Sequence, residues 1–260
     1  MAHHQASTVE TLLATTDPEK IREGLRLAGE AIAAATPEDR GTLLEAISAL
    51  FYIDALEQPD LVPLIEEAIA IVARCGPSVI PTLIERLNEG DLKAQMAYAL
   101  ALGRIGAEAI QPLVAEYRSK TDSSSRAFIL YALGKIKSPE LAGALPLVLD
   151  VVHSPTLELR DTATRAIGKF AESIPTDRLR DPERRRCVDA LQKNLADPNS
   201  GVRAKAVRSL GKLAMHGHLT AEERAKLRST CLLLLGKDEN FEWDRAFIVR
   251  KEAEVTLAVL

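Results

Sequence analysis

The chain has 260 residues, 47% hydrophobic but only 4% aromatic, with a formal net charge of −4. Ala and Leu dominate, which favours helices, because strands draw on β-branched and aromatic residues. The near-balanced charge argues neither for nor against a nucleic-acid or membrane partner, and three scattered cysteines (Cys75, Cys187, Cys231) without a CxxC pair read as reduced thiols, not a disulfide framework.

In chain order, residues 1–60 hold eleven acids against four bases. The opening "MAHHQASTVE" has no basic stretch leading into an apolar run, so it is not read as a secretory signal. Helices are expected in "PEKIREGLRLAGEAIAAA" and "PEDRGTLLEAISALFYI", which make residues 1–59 an N-terminal cap or degenerate repeat. Residues 60–260 then form a repeat array continuous with that cap. Runs such as "ISALFYI" and "CLLLL" are far shorter than a membrane span, and a soluble cytoplasmic protein is the expectation.

A motif of small residue, aliphatic residue, Gly, basic residue and aliphatic residue opens at Ala101, Ala132, Ala166 and Ser209. Its glycines are Gly103, Gly134, Gly168 and Gly211, and Ala73 and Ala258 hold the equivalent place. Successive intervals are 30, 31, 34, 43 and 47 residues, the sign of a helical-repeat array. In "NLADPNSGVRAKAVRSLGKLA", Val202, Ala206, Leu210 and Leu213 form one apolar face at helical period. Leu159, Ala163, Ile167 and Phe170 do the same one copy earlier. Each Gly-bearing helix follows another amphipathic segment, such as "AIQPLVAEY" or "RRCVDALQKNLAD", so the unit is helix–turn–helix and buries its apolar face by stacking on its neighbours. Asp17-Pro18, Thr36-Pro37, Ser138-Pro139 and Asp181-Pro182 mark helix starts, and Thr220 with Glu223 has capping-box spacing. Gly in a helix interior costs about 1 kcal/mol against Ala. Its recurrence implies that a neighbouring backbone comes close.

The pattern D-P-x-x-x-V-R-x-x-A-x-x-x-L-G-x-L over residues 197–213 resembles HEAT repeats, and the short intervals near Gly103 and Gly134 resemble the bacterial and archaeal variety of phycobilin lyases. The resemblance covers roughly residues 60–260. It implies an all-α, right-handed solenoid (an armadillo-like α-α superhelix) of about six units. It also implies a concave face, lined by the second helix of each pair, that binds protein.

Residues 157–212 hold thirteen bases against eight acids. Within the Gly-bearing helices, the residue three before Gly and the one after it share a face, since four residues turn about 400°. These pairs are Leu100/Arg104, Tyr131/Lys135, Arg165/Lys169 and Arg208/Lys212. One reading is a partner-binding stripe of Arg104, Tyr131, Lys135, Arg165, Lys169, Arg208 and Lys212 for an acidic protein or a phosphate backbone. The other is an ordinary solvated face.

Arg126, Arg160, Arg203 and Arg250 recur on a different side of the same helices. They are read as tying inter-helix turns to nearby Asp or carbonyl groups, with ligand binding the alternative. His216 and His218 lack a third ligand at metal spacing and are read as two surface imidazoles in a loop. In "FEWDR", Trp243 is read as half-buried against the last repeat, with a binding hot spot as the alternative. Cys187, beside "RRR", fits an apolar face better than a reactive thiol, and Cys75 likewise reads as buried and structural.

No hydrolase, P-loop, zincin or dinucleotide motif appears. No metal or cofactor is implied. The first functional reading is therefore a non-catalytic interaction scaffold or adaptor with an acidic protein partner. A phycobilin-lyase-like enzyme subunit and nucleic-acid binding through the basic stripe are the alternatives.

Overall fold

The computed structural model describes residues 2–32, 35–239 and 243–260, with side chains from residue 7 onward except at position 37. Fourteen α-helices form among the described residues and no strand does; a lone bridge joins Leu235 and Trp243. Two compact units divide the chain, Met1–Leu113 and Val114–Leu260. No single described helix is long and apolar enough to cross a membrane.

The first unit contains α1 (Ala2–Leu13), α2 (Pro18–Ala31), α3 (Pro37–Ser48), α4 (Val62–Arg74), α5 (Ile80–Glu89) and α6 (Leu92–Ile105). α2 packs on α4 and α4 on α6, while α1, α3 and α5 pack on α2, α4 and α6 respectively. Ile21 and Leu25 of α2, Ile69 and Val72 of α4, and Tyr98 and Leu102 of α6 are buried. Each large aliphatic side chain removed from water contributes roughly 1.5–3 kcal/mol. Phe51 meets Tyr98 edge-on, ring centroids 5.2 Å apart.

α7 (Ile110–Ser119) carries the division between the units. The second unit continues with α8 (Ser123–Leu133), α9 (Leu145–Val151), α10 (Leu157–Ala171), α11 (Asp181–Asn194), α12 (Ser200–Met215), α13 (Ala221–Leu234) and α14 (Phe247–Leu257). α8, α10, α12 and α14 pack one on the next, and α9, α11 and α13 pack on α10, α12 and α14. The two apolar faces expected from the sequence are buried along their length, from Leu159 to Phe170 and from Val202 to Leu213.

The glycine reading holds where helices stack most tightly. A Cβ on Gly168 would lie 2.5 Å from Ser209 Oγ and 2.8 Å from Ser209 Cα; one on Gly211 would lie 2.8 Å from Thr256 Oγ1. Buried hydroxyls fill these approaches and join successive helices. Ser209 Oγ donates to Thr164 O at 2.9 Å, and Thr256 Oγ1 donates to Val207 O at 3.4 Å. Gly134 has no neighbour nearer than 3.4 Å and serves instead as the C-cap of α8.

Several helix starts match their capping signals. The Asp17 and Thr36 side chains accept from Glu19 N and Asp39 N, and the Thr220–Glu223 box closes in both directions. Ser138-Pro139 opens a 3-10 turn, Pro139–Ala144, ahead of α9. Asp181 departs from expectation. It sits inside the first turn of α11, after Arg180, and its carboxylate pairs with Arg184 and Arg185 instead of capping the helix.

Two other expectations are corrected. His216 is exposed, but His218 is only 2% exposed. Gly217, at φ +78°, turns the chain so that the His218 ring lies under α10, with Nε2 3.1 Å from Ala171 O; burial lowers its pKa. Trp243 is 60% exposed, not half-buried. Its neighbour Asp244 turns inward to Arg203, which sends the indole outward. Phe241 of the same motif lies outside the described residues, as do the side chains of His3 and His4.

Candidate partner-binding site

The Gly-bearing helices carry two sets of basic side chains, and the structure distributes their carboxylate partners unevenly. Arg126, Arg160, Arg203 and Arg250 are structural, as the sequence suggested. Arg160 Nη1 donates to Ser154 O (2.7 Å) and Pro155 O (3.3 Å), while Nε and Nη2 hold Asp197 at 2.6 and 3.4 Å. Arg203 repeats this on Asp197 O (2.8 Å) and Pro198 O (3.2 Å), with Nε and Nη2 on Asp244 at 2.7 and 2.9 Å. Each arginine thus locks its own turn and the next one together by a charge-assisted fork. Burial alone would raise the Asp197 carboxyl, but Arg160 and the amide of Asn199 hold it below its ordinary value. Arg203 does the same for Asp244. Arg126 donates to the Lys120 carbonyl at 2.8 Å, stacks over the Tyr117 ring at 5.1 Å and has no carboxylate partner among the described residues.

The other set is the predicted stripe. In the first unit, Arg104 on α6 donates to Glu66 O at 2.9 Å and pairs with the Glu66 carboxylate. In the second unit, Arg208 on α12 forks onto the buried Glu252 of α14, with Nε 2.8 Å from Oε2; that bond raises the arginine pKa. Lys169 on α10 and Lys212 on α12 share Glu172, at 3.0 and 2.6 Å. Burial of Glu172 opposes ionisation, but the two ammonium groups outweigh it and keep its carboxyl below the usual range. Lys212 is itself lowered, chiefly by burial.

Lys135 and Arg165 differ. Neither has a carboxylate partner among the described residues. Both lie on Tyr131, at the last turn of α8: Lys135 Nζ is 4.5 Å and Arg165 Cζ 5.4 Å from the ring centroid. The local chain explains the convergence. α8 ends at Leu133, and a turn from Lys135 N to Ala132 O (2.9 Å) brings Lys135 back beside the ring. α10, packed on α8, delivers Arg165 from the neighbouring helix. The hollow among Tyr131, Lys135, Thr162, Arg165 and Lys169 is about 10 Å³. That is room for about one water, so the cluster suits a group landing on it more than an enclosed ligand.

Sequence reasoning missed a cavity of about 350 Å³ in the first unit, lined by Leu44, Tyr52, Leu83 and Tyr98 with the Glu45–Arg86 pair among its walls. Its trace in the sequence is two tyrosines, Tyr52 and Tyr98, in an aromatic-poor chain. The cysteines follow expectation most closely where burial is deepest. Burial pushes the thiols of Cys187 and Cys231 up to about 12 and about 11 respectively, while Cys75 is only half-buried. No group of metal-ligating side chains occurs among the described residues.

These stacked helix rows have the α-solenoid fold of HEAT-like repeats. No family model and no curated protein sequence matches the chain. Solved structures do. A chain of the complex of CpcE and CpcF, of phycocyanin lyase from Nostoc sp. PCC7120, aligns with a TM-score of 0.53 at 18% identity, over 69% of this chain and 98% of that one. A chain from the structure of Kap95p with RanGDP aligns with a TM-score of 0.59 at 14% identity, over 93% of this chain and 36% of that one. At such identities the likeness is one of fold, and fold alone does not assign function.

Proposed function

We propose that this protein is a non-catalytic scaffold that binds an acidic protein partner, anchored in the second unit by Tyr131, Lys135 and Arg165 and flanked by Lys169, Arg208 and Lys212. The observation that carries the reading is the uneven pairing within the stripe. An incoming carboxylate at Arg208 or Lys212 has to displace Glu252 or Glu172. At Lys135 and Arg165 it has no carboxylate of the described residues to displace. The Tyr131 ring holds both cations in place by cation–π attraction, worth about 0.5–1 kcal/mol at an exposed site. That reduces the ordering cost of binding.

The test uses a fluorescein-labelled peptide of alternating Asp and Glu, read by anisotropy at several salt concentrations. The wild type is expected to bind, and K135E/R165E to bind at least about tenfold more weakly, a difference of about 1.4 kcal/mol. Arg228→Glu, an exposed position away from the cluster, serves as the control and is expected to bind like the wild type. Equal binding by the wild type and K135E/R165E, or no binding by either, overturns the site. A single-stranded oligonucleotide run in parallel, bound more tightly than the peptide and with a steep salt slope, would favour nucleic-acid binding instead.

A further inference from the structure

The cavity of the first unit lies between α3 and α5, the outer helices of successive pairs, with Tyr98 of α6 at its floor. Its volume of about 350 Å³ falls among those of small-molecule pockets, roughly 300–1,000 Å³. Gly41, Leu44, Glu45 and Ser48 line it at helical spacing, so α3 turns one face toward it, and Thr82, Leu83 and Arg86 do the same from α5. Gly41 keeps one wall open, since nothing stands within 4 Å of where its Cβ would be. Two of the chain's four tyrosines, Tyr52 and Tyr98, complete the lining. Tyr98 is only 2% exposed, and Phe51 braces its ring edge-on. The Ser48 and Tyr52 hydroxyls lie beside the Tyr98 hydroxyl; burial raises the Tyr98 pKa, so the phenol stays protonated near neutral pH. The charged groups of the lining among the described residues are Glu45 and Arg86, and they pair with each other across the exposed rim.

We propose that this cavity binds a small, uncharged aromatic molecule that carries a hydroxyl or amide group. Leu44, Leu83 and the two tyrosine side chains receive the ring. The hydroxyls of Ser48, Tyr52 and Tyr98 can each donate or accept, so they take the polar group whichever way it points. Charge decides the ligand class. An anion drawn to Arg86 meets Glu45, and a cation drawn to Glu45 meets Arg86. Either one brings an unmatched charge against apolar walls, which is costly. An uncharged ring avoids that cost and leaves the rim pair intact. The gap between α11 and α13 in the second unit differs in kind: it holds about 220 Å³, and its lining has aliphatic residues such as Leu195, Leu219 and Leu227 but no aromatic one among the described residues. The inference rests on the first unit alone and stands apart from the Tyr131 site.

Equilibrium dialysis of the full chain tests it, with 2-naphthol as the uncharged probe and 2-naphthoate as its anionic counterpart on the same rings. The wild type is expected to bind 2-naphthol saturably at one site and 2-naphthoate at least about tenfold more weakly. Gly41→Leu places a side chain in the open space and is expected to weaken 2-naphthol binding at least about tenfold. Tyr52→Phe and Tyr98→Phe keep the rings and are each expected to weaken it about three- to tenfold, the loss of one hydrogen bond. Tyr52 is 46% exposed, so its variant separates loss of the site from loss of fold; a circular-dichroism melt checks this for each protein. Thr230→Leu, in the gap between α11 and α13, serves as the control and is expected to bind like the wild type. No saturable binding of 2-naphthol by the wild type overturns the proposal. So does a folded Gly41→Leu protein that binds like the wild type, 2-naphthoate bound as tightly as 2-naphthol, or binding lost in Thr230→Leu.

Discussion

Replacing Gly168 by Ala sets two known effects against each other, and the geometry decides which wins. In a helix interior with free space, Gly→Ala stabilises by about 1 kcal/mol. Gly41, exposed on α3 with nothing within 4 Å of where a Cβ would stand, is such a site, and Gly41→Ala is expected to gain up to that amount. At Gly168 the new methyl would stand 2.5 Å from Ser209 Oγ and 2.8 Å from Ser209 Cα. The hydroxyl cannot rotate away without breaking its bond to Thr164 O, worth about 1 kcal/mol. The Cα cannot move without shifting α12. Overpacking of this kind costs about 1–3 kcal/mol. With the lost bond added and the helix gain subtracted, G168A should lose roughly 2 kcal/mol, a fall in melting temperature of about 4–8 °C for a chain of this size. Far-UV circular dichroism melts and urea titrations measure it. A G168A protein as stable as G41A would refute the close-approach argument. The series should be graded: G211A falls between them, because its obstacle is the end of the Thr256 side chain, and G134A is neutral or stabilising, because its neighbours lie at 3.4 Å or beyond.

Two further predictions concern the ion pairs. Asp244→Ala leaves the Arg203 fork empty, and breaking a pair this buried should cost roughly 3 kcal/mol, read as a lower urea midpoint with an unchanged slope. A slope change instead would mean that the turn after α13 had unfolded on its own. Glu172, held below its ordinary 4.5 by Lys212 and Lys169, is ionised in the folded chain at pH values where the unfolded chain is already protonated. Its contribution is therefore fully present above about pH 5 and fades as pH falls through and below 4.5. The stability difference between wild type and Glu172→Gln should be constant from about pH 5 to 7 and shrink below 4.5; a difference that grows on acidification would invert this assignment.

Much of the architecture was legible in the sequence because it rests on local and periodic terms. The apolar positions from Val202 to Leu213 and from Leu159 to Phe170 specify helices and the faces they bury. Thr220 with Glu223 specifies a start, and recurrent Gly specifies close stacking. The reading of Arg160 and Arg203 as ties to the inter-helix turns came from their recurrence at the same place in successive copies. Other features depended on residues about 40 positions apart meeting in space. Sequence spacing placed Lys135, Arg165, Lys169, Arg208 and Lys212 on one stripe. It did not reveal that Glu172 and Glu252 neutralise most of it and leave Lys135 and Arg165 on the Tyr131 ring. It put His218 beside His216 on a surface loop, although one left-handed glycine was enough to bury it. Helical period and capping act within a turn or two of the chain, so one sequence determines them. Charge compensation and burial depend on which helix packs against which, and only the tertiary structure decides that.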